Sequence, residues 1–141
     1  MTQTPTPTFD LTLFPSIFYY GGTPKTASWA DLVEAFGTHL RTEDKTSTPG
    51  FGPYRLHDRV CDRPKHPKAP HRCDVCVDAL SLAVFDVDCG TYAEVERCDA
   101  LLAGYARLWY SSHSYRPEAT KPSLRLIVPL ASPVPAERWA S

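Results

Sequence analysis

Polar and apolar residues alternate loosely from Phe9 through Leu11 and Leu13 to Phe14, and this period of two predicts a strand that Pro15 ends. The aromatic run Phe18-Tyr19-Tyr20 follows, and Gly21-Gly22 with Pro24 predicts a turn. From Ser28 the period lengthens. Trp29, Leu32, Val33, Phe36 and Leu40 fall on one face at helical spacing, with Ser28 as N-cap, Asp31 in the first turn and Gly37 as a candidate stop. That face reads as core packing. Thr42 to Cys76 carries no sustained period, and a segment that long without one is usually functional or mobile.

The clearest signal is Leu82-Ala83-Val84-Phe85-Asp86-Val87-Asp88. An apolar run of this length fits a strand buried on both faces, the last part of a strand from Asp78 to Asp88. Cys89-Gly90 turns the chain and Thr91 caps a helix whose face reads Tyr92, Val95, Cys98, Leu101, Leu102 and Tyr105. Leu108 to Ser114 predicts a second strand with a polar tip, and Leu124 to Leu130 a third. Pro133 to Ser141 reads as the start of a helix. Strand, helix and returning strand make a βαβ unit, which predicts a parallel, right-handed pair.

The ends of these strands carry the chemistry. Strand residues two apart share a face, so Asp86 and Asp88 project the same way. Two carboxylates at the exit of a buried strand repel each other and are costly to desolvate without partners. A divalent cation answers both problems. Mg²⁺ or Mn²⁺, typically held by one or two carboxylates plus substrate phosphates, suits an all-oxygen set on a rigid strand. The plainer reading is that the pair punctuates the strand, solvated or capping the next helix. The βαβ topology puts Ser111, Ser112 and His113 at the same end as the acids, where ligands bind in open α/β sheets. If the third strand runs antiparallel, it brings Lys121 and Arg125 there too. Acids, hydroxyls, an imidazole and cations together suit phosphoryl or nucleotidyl transfer.

Composition narrows the setting. The chain has 141 residues, a length that fits one domain, and a net charge of −1, which removes any global basic field. No run of about 18 apolar residues is present, so no membrane helix is expected. Residues 1–8 alternate Thr and Pro without the basic and apolar parts of a secretory signal, and read as a disordered lead-in to a domain over 9–141. Five cysteines, an odd number with two near regular elements, argue against a secreted disulfide scaffold and for a reducing cytoplasm.

The aperiodic segment 42–76 is basic and rich in Cys and His. Arg55, Arg59, Arg63, Lys65, Lys68 and Arg72 read as phosphate-backbone contacts, or more plainly as a solvated loop. Cys73-Asp74-Val75-Cys76 has the two-residue gap that lets two thiolates grip one tetrahedral ion. Cys61 is a third candidate ligand, and His57, His66 or His71 a fourth, with His71 included in the proposed set. Two ordinary thiols, Cys76 pointing into the core, are the alternative.

In order and spacing, the strand ending Asp86-Val87-Asp88, the helix, Tyr110-Ser111-Ser112-His113-Ser114, the polar loop and Leu124-Arg125-Leu126-Ile127-Val128-Pro129-Leu130 with Ser132-Pro133-Val134 form a recognisable set. The sequence resembles the archaeo-eukaryotic primase superfamily, specifically the primase-polymerase domains of plasmid, phage and mobile-element replication proteins. Trp29-Ala30-Asp31-Leu32 and Phe51-Gly52-Pro53-Tyr54 share in the likeness. The resemblance implies an α/β (α+β) fold, an RRM-like core with a central mixed sheet flanked by helices. It implies a DNA primase or polymerase using two metals held by Asp86 and Asp88 on nucleoside triphosphates and a DNA template and primer. A downstream helicase is the expected partner. The family's small-residue-x-His motif, which contacts the nucleotide phosphates, fits Ser111-Ser112-His113 literally; in a shifted register it falls on Ser123-Leu124-Arg125. The family also carries a third acidic motif downstream, and no Asp follows Asp99, so a chain truncated before the third carboxylate is expected. Two further readings remain open. One is a non-catalytic, zinc-stabilised nucleic-acid-binding module centred on His57 to Cys76. The other is a sugar-nucleotide transferase using Asp-x-Asp.

Overall fold

The computed structural model describes residues 6–16, 18–19, 21–38, 44–57, 61, 72–88 and 90–139. Its first sheet has the order β2-β1-β3 and its second β4-β5-β7-β6. The strands are β1 (Thr8–Phe14), β2 (Thr23–Ser28), β3 (Gly50–Gly52), β4 (Tyr54–Leu56), β5 (Val77–Val87), β6 (Leu108–Ser111) and β7 (Leu124–Pro135). The helices are α1 (Trp29–Gly37), α2 (Tyr92–Leu101) and α3 (Ala136–Trp139). None of the described helices is long and apolar enough to cross a membrane.

The alternation in Phe9–Phe14 forms β1 as expected, one residue longer at its start. The turn expected over Gly21-Gly22-Pro24 is shorter, because β2 begins at Thr23 and pairs antiparallel with β1 from Thr23↔Leu13 to Ser28↔Thr8. Pro24 is tolerated there because β2 is the edge of its sheet.

Ser28 ends β2 and caps α1. Its hydroxyl accepts from the Asp31 N–H at 3.2 Å, and its own N–H donates to Asp31 Oδ2 at 2.8 Å. This reciprocal box holds the Asp31 carboxyl below its usual range, the Ser28 backbone bond leading. Ser28→Ala is expected to cost about 1 kcal/mol in a denaturant titration, the usual worth of an N-cap. Leu32 is buried and Phe36 packs against the core, whereas Val33, expected on the same face, is exposed; Leu40 lies outside the described residues.

A single stretch, Gly50 to Leu56, joins the two sheets. Its first half, β3, pairs with β1, and after Pro53 its second half, β4, pairs with β5. The aperiodic segment therefore contains strands, each too short to register as a period. The Pro53 carbonyl accepts from the Ser81 N–H at 3.1 Å. The Ser81 hydroxyl donates to the Asp10 carbonyl at 2.7 Å and accepts from the Asp10 N–H at 3.0 Å. One buried serine thus ties β5 to β1 where the sheets meet.

The central strand is buried on both faces only from Leu80 to Ala83; beyond Val84 it opens, and Phe85 is exposed. The core cluster is Phe9, Leu11, Ala27, Leu32, Leu82 and Ile127, with Trp29, Phe36, Phe51, Val84, Leu108 and Tyr110 packed around it.

The βαβ expectation needs correcting. β5 and β6 run in the same direction but are not neighbours, because β7 lies between them and pairs antiparallel with both. Every described strand pairing is antiparallel, so the sheets are antiparallel rather than mixed. An antiparallel strand can fold straight back from β6, and it takes the central slot that a parallel partner would need. The third strand also outruns its expected end at Leu130, reaching Pro135; the helix expected from Pro133 begins at Ala136.

The amphipathic face predicted for α2 is not packed. No residue of α2 is buried, and Leu101 and Tyr105 are well exposed. The helix is tied at Asp99, which accepts from Arg107 Nη2 at 2.7 Å and from Trp109 Nε1 at 2.9 Å. Arg107 first, then Trp109, holds the Asp99 carboxyl down to about 2. An unfolded aspartate titrates near about 4. The stability from this tie is therefore complete above pH 4 and lost as pH falls toward 2. Asp99→Asn is expected to flatten that acid limb of a stability-against-pH curve.

Candidate functional site

Two side-chain groups stand out, one at the carboxyl end of β5 and one at its start. At the carboxyl end, strand register sets a cross-strand row. Asp86 on β5 faces Arg125 on β7, and Arg125 faces Tyr110 on β6. Arg125 grips Asp86 with both arms of its guanidinium, Nε to Oδ1 at 2.9 Å and Nη2 to Oδ2 at 3.3 Å. It also hydrogen-bonds the Tyr110 side chain. Asp86 above all raises Arg125 further beyond its usual range and keeps it charged. Burial pushes the Tyr110 phenol up. Phe36 of α1 stacks on Tyr110 with ring centroids 4.7 Å apart, which fixes the row to the core.

The next contact lies one step outward. Ser123, two residues before Arg125, donates its hydroxyl to Asp88 Oδ1 at 3.1 Å. The leading end of β7 therefore serves both acids, Arg125 on Asp86 and Ser123 on Asp88. The backbone closes the same corner, because the Ser112 N–H donates to the Ser123 carbonyl at 2.9 Å. Ser112 is buried and Lys121 is exposed just before β7. Ser111 pairs with Leu124, so the pleat sends it to the opposite face from Tyr110 and Arg125. His113 lies near enough to Asp44 to help hold that carboxyl down, after Thr46 and Ser47. Among the described residues no third His, Cys, Asp or Glu joins Asp86 and Asp88 in a metal-sized group.

The expected convergence is thus met for Asp86, Asp88, Ser112 and Arg125. Ser123 entered only through the shifted register of the family motif, and Tyr110 carried no expected role of its own. Tyr110 reads in sequence as one more apolar strand position, and only the register reveals it opposite Arg125. Ser123 sits in a polar loop with no period to mark it.

At the other end of β5, a 3-10 turn over Asp74–Cys76 leads into the strand. Cys61, Cys73 and Cys76 meet there, their sulfurs all within 4.8 Å of one another. Cys61 and Cys73 are 3.9 Å apart, and Cys73 and Cys76 3.3 Å. Cys61 and Cys76 are buried. Burial first, then hydrogen bonds with Cys76 and Cys61, pushes the Cys73 thiol up to about 11. The turn is fixed by the Cys76 N–H to the Cys73 carbonyl at 3.1 Å and the His57 N–H to the Cys76 carbonyl at 2.9 Å. The His57 ring places Nε2 2.7 Å from the Val75 carbonyl and does not join the thiols. His71, expected as a ligand, lies outside the described residues.

Two of the arginines expected to meet nucleic acid have protein partners. Arg55 donates through Nε to Asp78 at 3.0 Å and lies 3.7 Å from Asp10. The Arg72 guanidinium lies 5.4 Å from the centre of the Phe14 ring. Arg59 and Arg63 fall outside the described residues.

Comparison with protein-family models, with curated proteins and with solved structures finds no match to this chain.

Proposed function

We propose that the carboxyl end of β5 is the nucleotide site of a metal-dependent nucleotidyltransferase of the primase-polymerase type, acting on nucleoside triphosphates and a DNA primer and template in the cytoplasm. One observation carries the reading: the antiparallel register that sets Asp86 against Arg125 while Ser123 engages Asp88. Asp86, Asp88 and Arg125, which the sequence resemblance singles out, lie at one exposed strand end with Ser112 and Ser123 beside them.

The donor set fits a magnesium or manganese ion. Asp86 and Asp88 are exposed hard-oxygen ligands, and such ions need only one or two carboxylates when phosphates complete the shell. Bound there, the ion would neutralise the triphosphate and favour ionisation of the attacking 3′-hydroxyl. The protein groups do the positioning. Arg125 is the cation that exchanges a carboxylate for a phosphate, since its planar fork matches both. Tyr110, locked by Phe36, keeps the guanidinium in place during that exchange. Ser123 orients the Asp88 carboxylate, and the buried Ser112 backbone holds Ser123.

A labelled nucleoside triphosphate titrated with and without Mg²⁺ or Mn²⁺ tests this reading. Saturable binding that needs the divalent ion is expected. A chain that binds DNA but no triphosphate under either condition would instead favour the non-catalytic nucleic-acid module. Arg125→Ala is expected to weaken triphosphate binding by roughly 10- to 100-fold, from the loss of about 1.5–3 kcal/mol of charge-assisted hydrogen bonding.

A further inference from the structure

We infer that Cys61, Cys73 and Cys76 form a structural zinc site that locks the exit of β4 to the entry of β5. This site does not depend on the nucleotidyl-transfer reading, since it lies at the opposite end of β5 and uses none of the same residues.

The geometry is that of soft tetrahedral ligation. With Zn–S bonds of about 2.3 Å, neighbouring sulfurs of a tetrahedral site lie about 3.8 Å apart. The observed separations of 3.9 and 3.3 Å bracket that value. Three sulfur donors select zinc over magnesium or calcium, which prefer oxygen. Ligation releases each thiol proton to solvent and gives each sulfur lone pair to the ion. A nitrogen or water oxygen supplies the fourth donor.

The surroundings are those of a structural centre. Cys61 and Cys76 are 2% and 0% exposed, so two of the three sulfurs would hold the ion from the protein interior. Backbone hydrogen bonds from Cys76 to Cys73 and from His57 to Cys76 already shape the knuckle. Cys76 directly precedes β5 and Cys61 follows β4, which pairs with β5. The ion would therefore close the intervening basic segment at its base and clamp the β4–β5 pair. Sulfur hydrogen bonds of the kind that link Cys73 to Cys61 and Cys76 are weak compared with thiolate–zinc ligation.

The test uses the full chain purified under reducing conditions. Metal analysis should find about one zinc per chain, and cobalt substitution should give the near-ultraviolet thiolate-to-cobalt band of a tetrahedral site. Cys73→Ser should lose the metal, while Cys98→Ser, on the exposed face of α2, should keep it. Cys61→Ser and Cys76→Ser replace buried groups, so alkylation of the unaltered chain mapped by mass spectrometry provides the second measurement. Cys61, Cys73 and Cys76 should become labelled only after a chelator is added. X-ray absorption showing three sulfurs around zinc supports the site. A zinc-free protein without a cobalt–thiolate band, a disulfide among the three cysteines, two or fewer sulfurs around the ion, or equal zinc loss in Cys98→Ser would overturn it.

Discussion

Replacing Asp86 and Asp88 together by asparagine is expected to remove metal-dependent triphosphate binding and to leave the fold standing. Asparagine keeps the volume and removes the charge, so a divalent ion loses both anionic ligands at once. The loss should exceed that from Arg125→Ala, because the metal and the phosphates it bridges go together. Stability should change little. The Asp86–Arg125 pair is substantially exposed on both sides, and ion pairs of that kind contribute little net stability in water. The freed Arg125 keeps Tyr110 as a partner. Calorimetry of triphosphate binding beside a thermal melt checks both halves. A double variant that binds triphosphate and metal as the parent does would remove Asp86 and Asp88 from the site.

Leu82→Ala is expected to have the largest effect on stability, about 2–5 kcal/mol. Leu82 is fully buried midway along β5, in a cluster with Phe9, Leu11, Ala27, Leu32 and Ile127 drawn from both sheets and α1. Truncating it opens a cavity where the two sheets and the helix meet, and rigid neighbouring strands can only partly fill it. Three residues along the same strand, Phe85→Ala should cost far less despite the larger side chain, because Phe85 is half exposed. Urea titration of the two variants gives the comparison. Equal losses would mean that the core does not lie where the burial pattern puts it.

How much of this was legible in the sequence depends on whether burial imposed a period. β1 and the Leu82 strand carry apolar patterns because they line the core, and Ser28 with Asp31 marks the start of α1 by local hydrogen bonding alone. β2 could not be read. Its residues Thr23-Pro24-Lys25-Thr26-Ala27-Ser28 sit on an edge with only Ala27 buried, so no alternation is selected. β3 and β4 are three residues each, and their role depends on the bend at Pro53 between two sheets. The far half of β7 was hidden by a register shift. Leu82 pairs with Pro129 but Leu80 with Val134, because Ser81 turns its hydrogen bonds toward β1 and Pro53. The α2 pattern misled for the opposite reason: it has helical spacing without a surface to bury it.

The candidate sites divide in the same way. Asp86 and Asp88 were legible because carboxylates ending an apolar run conflict with their surroundings. Arg125 was legible once an antiparallel β7 was supposed. Its bidentate grip on Asp86 was not, because it depends on which residues fall opposite each other. Cys73 and Cys76 announced themselves by spacing, and the fold brings Cys61, already the third candidate, within reach of them.

The most direct test of the proposed nucleotide site is paramagnetic broadening of backbone amide signals by trace Mn²⁺ with a non-hydrolysable nucleoside triphosphate. Signals from Asp86 to Asp88, Ser112 and Ser123 to Arg125 are expected to broaden first, and Asp86→Asn with Asp88→Asn to abolish the effect. Broadening centred instead on the Asp10–Asp78 or Asp99 carboxylates, or unchanged in the double variant, would contradict it.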